Sequence, residues 1–184
     1  TVLAVTFTNK AAQQMKTRIE QIVGWQTARK TMIGTFHSIC ARLLRFDIED
    51  YTTPEGHKLK SNFVIYDETD ALSLMKGVIS RLNLDDKVFV PREMRYAISA
   101  LKNDGYTAQL YAQEAKSYRE SRMSEIFLAY QADLARNNAM DFDDLILTFT
   151  QVLKTCPSVR TRYHQRFRHI LVDEFQDTNR SQFD

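Results

Sequence analysis

Glycine and proline are scarce in this chain, 5 and 3 among 184 residues. Few turn formers mean few breaks in regular structure, and long polar–apolar periodic stretches dominate, so helix is expected to prevail. Cysteine is almost absent. Cys40 and Cys156 lie far apart with no paired spacing, which excludes a zinc ribbon or a disulfide framework and suits a reducing cytoplasm. No apolar run approaches membrane-spanning length, and no signal-peptide pattern is present. An excess of charge is missing too. The net charge of +2 does not by itself demand a nucleic-acid partner, so any basic binding face must come from local arrangement.

What remains is an ordinary globular composition, 43% hydrophobic and 26% charged. The length suits one domain, or a domain carrying a large insertion. Thr1 drops straight into a strand-like run without an initiator methionine, and Asp184 follows an acidic motif closely. Both ends look cut, and a fragment of a longer protein is expected.

That acidic motif organises the chain. In His169-Ile170-Leu171-Val172-Asp173-Glu174-Phe175-Gln176-Asp177-Thr178-Asn179 a short apolar run reads as a buried strand and stops at two adjacent carboxylates. Ligands of open α/β sheets sit beyond the carboxyl ends of the strands. A carboxylate there suits Mg²⁺ bound to nucleotide phosphates, since Mg²⁺ is hard and takes one or two carboxylates. The next carboxylate can orient or deprotonate an attacking water. The competing reading is an acidic strand end satisfied by Arg168 and Arg180.

Val2-Leu3-Ala4-Val5 reads as another buried strand, followed by the polar turn Thr6-Phe7-Thr8-Asn9 and a helix over 10–23. Ala11, Ala12, Met15, Ile19, Ile22 and Val23 share one helical face; Thr8 or Asn9 can cap the start and Gly24 the end. Thr8, Asn9 and Lys10 at a helix N-terminus suit phosphate oxygens, and Phe7 offers a ring on which a base can stack. A capped helix beside a core phenylalanine explains the same residues. Thr31-Met32-Ile33-Gly34-Thr35 reads as a second strand, and Phe36-His37-Ser38 opens a helix with Ile39, Cys40, Leu43, Leu44 and Ile48 inward. His37 can bond a phosphate or base, or simply cap and pack. Arg42 and Arg45 read as a solvated face.

Strand signals then nearly vanish. A loop over 51–61 and a brief apolar entry at 63–66 lead to a helix capped by Asp67 and Asp70, with Ala71, Met75, Val78 and Leu82 inward. Pro91 starts a helix that uses Met94, Ile98 and Leu101 and ends at Asn103-Asp104-Gly105. One long helix is expected over 111–136, burying Tyr118, Ile126, Phe127, Tyr130 and Leu134. Asp141, Asp143 and Asp144 read as capping acids of the next helix, because they lack the glycine and terminal glutamate of a calcium loop. A last helix over 157–167 feeds the acidic strand. The expected fold class is α/β: a parallel sheet core interrupted by a large all-helical insertion, predominantly helical in total.

Three stretches together resemble one family. Ala4-Val5-Thr6-Phe7-Thr8-Asn9-Lys10-Ala11-Ala12 resembles motif Ia of the UvrD/Rep/PcrA-type superfamily 1 DNA helicases, Ile33-Gly34-Thr35-Phe36-His37-Ser38 their motif Ib, and the stretch 170–179 their motif II, or Walker B. Asn138-Ala139-Met140-Asp141-Phe142-Asp143-Asp144-Leu145 is similar to a segment those proteins carry just upstream of motif II. The resemblance implies a partial P-loop NTPase (RecA-like) core, subdomain 1A, at 1–36, a helical insertion, subdomain 1B, at 37–167, and a return to the core at 168–184. It implies Asp173 as the Mg²⁺ ligand, Glu174 as the residue activating water on ATP, and Phe7, Thr8, Asn9, Thr35 and His37 as contacts to single-stranded DNA. Gln176 and Asp177 are implied to couple the nucleotide site to its neighbours. The cofactors implied are ATP and Mg²⁺, and the partners single-stranded DNA and its junctions with duplex, approached near the fork by the helical insertion, with no membrane. The implied activity is an ATP-dependent helicase moving 3′ to 5′ in repair or replication.

The glycine-rich P-loop that cradles phosphates is missing from these residues, as is a second motor domain with its arginine fingers. The 184 residues alone are therefore expected to be inactive. Two other parents fit the same motifs: the motor of a helicase–nuclease, and a motor-dead DNA-binding scaffold.

Overall fold

The computed structural model describes all 184 residues. In chain order the elements are β1 (Val2–Thr6), α1 (Asn9–Val23), α2 (Trp25–Ala28), β2 (Met32–Thr35), α3 (Phe36–Asp47), β3 (Val64–Ile65), α4 (Glu68–Arg81), α5 (Pro91–Asn103), α6 (Ala108–Glu114), α7 (Tyr118–Arg136), β4 (Ala139–Met140), α8 (Phe142–Thr155), α9 (Pro157–Arg166), β5 (His169–Val172) and α10 (Arg180–Phe183), with 3₁₀ turns at Ile48–Asp50 and Phe175–Asp177. The fold is mixed α/β and mostly helical. No helix is long and apolar enough to cross a membrane.

The main sheet is parallel, in the order β2-β1-β5. Its register sets Thr6 opposite Thr35 and Val5 opposite both Gly34 and Val172, so all three strands end at one edge. β1 is central and its Leu3, Ala4 and Val5 are buried. The expectation of a buried acidic strand fails: Ile170 and Leu171 are 61% and 60% exposed. β5 pairs only with β1 and lies at the sheet's edge, and an apolar run by itself does not reveal strand order. The apolar stripe of α1 is likewise not sealed. No α1 residue is buried, and Ile22 is 81% exposed, because α1 lies on one side of a narrow sheet with little around it.

Two hydrophobic cores hold the rest. The first joins Leu3, Val5 and Met32 of the sheet to α3, α8 and α9. Buried Asp47 at the end of α3 accepts from Arg162 and Tyr163 of α9. The second core is formed by α4, α5, α6 and α7, closed by Ala139. Helices α3, α8 and α9 thus pack with the sheet, and the packing does not divide the chain at 36/37 and 167/168.

Four details of the helical block depart from expectation. The single helix over 111–136 is two helices, because Ala115 turns extended and Ser117 restarts the chain in a capping box with Glu120, a local device worth about 1 kcal/mol. Tyr118, expected inward, is 75% exposed. The block is not wholly helical: β3 and β4 form a parallel ladder pairing Val64 with Ala139 and Ile65 with Met140, too short to leave any periodicity. Arg45 is anchored as well as solvated. Its guanidinium donates to the carbonyls of Ser61 at 2.9 Å and Phe63 at 3.3 Å and lies 4.4 Å from the Phe63 ring centroid.

Candidate nucleotide and nucleic-acid interface

Parallel strands bring the residues of interest to one end of the sheet. β1 runs out through Thr6 into Phe7, Thr8 and Asn9; β2 ends at Thr35; β5 ends at Val172 and delivers Asp173, whose N–H donates to Val5 O at 2.9 Å. Asp173 is exposed and its carboxylate has no partner within the chain. The proposed satisfaction by arginine is not found: neither Arg168 nor Arg180 forms an ion pair with Asp173 or Glu174.

Glu174 turns the chain sharply. It adopts φ 51° and ψ 45°, the left-handed region, and heads the 3₁₀ turn that follows. That conformation costs a residue with a Cβ roughly 1–2 kcal/mol, and such outliers cluster where function demands a particular side-chain placement. Gln176 Nε2 donates to Glu174 Oε2 at 2.5 Å, and Asp177 N–H donates to Glu174 O at 2.9 Å. The residue with the strained backbone is therefore steadied by both residues implied to couple it to its neighbours.

On the opposite flank, Thr8 caps α1 by accepting from Ala11 N–H at 3.1 Å. Thr35 caps α3 in a box with Ser38, accepting its N–H at 3.2 Å while Ser38 Oγ accepts the N–H of Thr35 at 2.9 Å. Gly34 makes that box possible, since a Cβ there would lie 2.7 Å from Ser38 Oγ. A hydroxyl that caps uses a lone pair and keeps its hydrogen to donate elsewhere. Neither α1 nor α3 has an acid in its first turn, whereas α4, α7 and α8 do. The helix ends flanking the sheet's carboxyl edge therefore keep their positive potential for an anion.

Phe7 is half-buried, its ring 5.5 Å from that of Phe36, and Asn9 is exposed at the head of α1. His37, half-buried at the second position of α3, lies edge-on to Phe142 at 5.5 Å. Burial lowers its pKa, opposed in part by the charge of Asp143, so its imidazole is neutral at neutral pH. Phe7, Thr8, Asn9, Thr35, Asp173 and Glu174 thus share the sheet's carboxyl edge, while His37 belongs to the junction of α3 with α8.

No three His, Cys, Asp or Glu side chains cluster to cage a metal. The single free carboxylate of Asp173 nonetheless fits Mg²⁺, which is commonly held by one or two carboxylates with waters and substrate phosphates. A cavity of about 720 Å³ lies under the sheet face among Val5, Phe36, Ile39, Val172, Phe175 and Phe183. Its mostly apolar walls offer little to a phosphate, so it is a packing trough beside the polar edge.

Two neighbours of the site escaped the sequence reading. Lys102 is fully buried, with Nζ 2.7 Å from Asp141 Oδ2 and 2.7 Å from Asp144 Oδ1, and Tyr130 OH donates to Asp141 Oδ2 at 3.0 Å. Burial opposes its charge, but the two carboxylates outweigh that and hold its pKa above the ordinary lysine value. Asn103 beside it bonds Asn179. The signal was present: Lys102 follows Ile98 by one helical turn, a lysine on the buried stripe of α5.

The family model described as UvrD/REP helicase N-terminal domain matches residues 1–184. The ATP-dependent DNA helicase PcrA of Staphylococcus aureus is 42% identical over 182 residues, 99% of this chain and 24% of that protein. The protein of the same name from Bacillus subtilis is 41% identical over the same share of each. The chain belongs to the UvrD/REP helicase family, matching its N-terminal domain, and spans about a quarter of the length of these relatives.

Proposed function

We propose that this chain is part of the motor of an ATP-dependent DNA helicase that moves 3′ to 5′ along single-stranded DNA. In this reading the sheet belongs to a P-loop NTPase core, and the separate helical core, from Tyr66 to Ala139, is the insertion that approaches the duplex junction. The boundary then follows the change in packing instead of residues 37 and 167. Asp173 supplies the protein carboxylate for Mg²⁺. Glu174 takes a proton from, or orients, the attacking water. Bound Mg²⁺·ATP supplies the phosphoryl chemistry. Phe7 stacks a base, Thr8, Asn9 and Thr35 donate to phosphates without reading sequence, and His37 contacts the strand as a neutral imidazole. The observation that carries the reading is the left-handed Glu174 directly after an unpaired Asp173, at the same sheet edge as the two helix N-termini.

The test is ATP hydrolysis by the full-length protein with and without single-stranded DNA, wild type beside Glu174→Gln. DNA-stimulated turnover lost in the variant supports the motor and the role of Glu174. Wild type inactive in both conditions turns the reading to a motor-dead DNA-binding scaffold. Residues 1–184 alone contain no P-loop and are expected to hydrolyse no ATP above background.

A further inference from the structure

Helix α5 ends in two consecutive residues that the site itself does not use, Lys102 and Asn103. Each holds the segment after Glu174 with one group and the start of α8 with another. On the nucleotide side, Asn179 Nδ2 donates to Asn103 Oδ1 at 2.6 Å, and Ser181 Oγ donates to the carbonyl of Lys102 at 2.5 Å. Ser181 is buried, and its own carbonyl accepts from Thr150 at 3.2 Å. Together with the pairing of Lys154 Nζ with Asp184 Oδ2 at 2.7 Å, these contacts tie the chain leaving Glu174 to α5 and α8.

On the other side, Lys102 Nζ grips Asp141 and Asp144, the capping pair that forms the first turn of α8. Asn103 Nδ2 donates to Ser99 O at 2.9 Å and reaches Asp143 Oδ1 at 3.4 Å. Phe142 and Asp143 in that same turn are the residues that meet His37, one by its ring and one by its charge. A carboxamide is the group this place requires, because it accepts from Asn179 and donates towards Asp143 at once; a carboxylate or an alkyl chain cannot do both.

We propose that Lys102 and Asn103 are positioning residues that couple the segment 173–181 to His37, so that nucleotide binding at Asp173 and Glu174 alters the grip on single-stranded DNA through α5 and the first turn of α8. This rests on the helicase reading above. Two anchors in a rigid helix end leave α8 little freedom to stay put when the segment shifts, and a coupling of this kind acts equally in both directions.

The experiment measures single-stranded DNA affinity of the full-length protein with and without Mg²⁺ and a β,γ-methylene analogue of ATP. Wild type is compared with Asn103→Ala and Asn103→Asp, with thermal unfolding alongside. Asn103→Asp keeps the size and the acceptor for Asn179, loses the donor to Ser99 O and Asp143, and sets a second carboxylate against Asp143, so it reports on that link where alanine loosens the fold. Both variants are expected to keep nucleotide-free DNA affinity within about twofold, while the nucleotide-dependent change in affinity shrinks by about fivefold or more, the usual scale of coupling between sites. Combined with His37→Ala, the Asn103 substitutions are expected to be non-additive, as befits residues in one network. A nucleotide response equal to wild type in both variants overturns the coupling and leaves the helicase reading intact. A wild type with neither a nucleotide response nor DNA-stimulated hydrolysis removes both.

Discussion

Lys102 Nζ lies 2.7 Å from Asp144 Oδ1 and 2.7 Å from Asp141 Oδ2, with all three residues buried. One ammonium thus serves two carboxylates, and both carboxylates also cap α8. Removing the cation leaves two buried acids in contact with nothing positive. Lys102→Met is therefore expected to cost about 3–5 kcal/mol, the usual result of breaking a buried pair by deleting one partner. At alkaline pH, where the Asp144 carboxyl has to ionise, adding Asp144→Asn should recover part of that loss, since the second change removes one charge stranded beside Asp141. Urea unfolding of both variants checks this; a double variant weaker than Lys102→Met alone counts against it.

The same cluster gives stability a pH dependence of definite sign. Burial, aided by the charge of Asp141, pushes the carboxyl of Asp144 up to about 7. Unfolded, it titrates near 4, as an ordinary Asp does. Between those values the native state holds a proton that the unfolded state has lost, so this contribution is full below about pH 4 and falls as pH rises through about 7. Burial also disfavours the charge of Asp141, but Lys102 outweighs it and keeps Asp141 below the usual carboxylate range. Its contribution is lost only as pH falls below that range. His37, with a lowered pKa, acts in the opposite sense near neutrality. The informative quantity is thus the difference between wild type and Asp144→Asn: urea midpoints against pH should lose their downward component in the variant. Parallel profiles would assign the dependence elsewhere.

What the sequence revealed and what it concealed divide by distance along the chain. Thr8, Thr35, Asp67 and Asp141 all cap helices through groups three residues away, and such local chemistry is written in the adjacent letters. So is the strand–turn–helix unit carrying Phe7, Thr8 and Asn9. The edge position of β5 was not legible, because it depends on which strands pair. Nor was the pairing of Val64 with Ala139. The partners of Lys102 come from α8, across two intervening helices, and only its place one turn after Ile98 hinted that it was buried. Asp173 and Glu174 stood out in the sequence as acids ending a strand; the left-handed turn at Glu174 did not, since nothing but its surroundings selects that conformation over an extended one.

His37 offers a local probe of the junction between α3 and α8. Burial depresses its pKa, and Asp143 offsets part of that. An NMR titration should therefore find its midpoint below the ordinary value of about 6.5, and Asp143→Asn should move it lower still. A wild-type midpoint at or above the ordinary value would mean that the imidazole is better solvated than its contact with Phe142 indicates.

Phe7 separates two contributions to DNA binding. Its ring lies 5.5 Å from that of Phe36 at an interplanar angle of 58°, so one aromatic side chain is braced by another while remaining only half-buried. Stacking of a base on such a ring is worth about 1–3 kcal/mol and does not involve counterions. Phosphate contacts, by contrast, set the slope of affinity against salt. Phe7→Ala in the full-length protein is therefore expected to weaken single-stranded DNA binding by about 5- to 150-fold at every salt concentration, with the slope unchanged. A loss confined to low salt would mean that the substitution had disturbed Thr8 and Asn9 instead. No loss at all would leave Phe7 as a packing partner of Phe36, and the stacking role would then have to pass to another exposed ring.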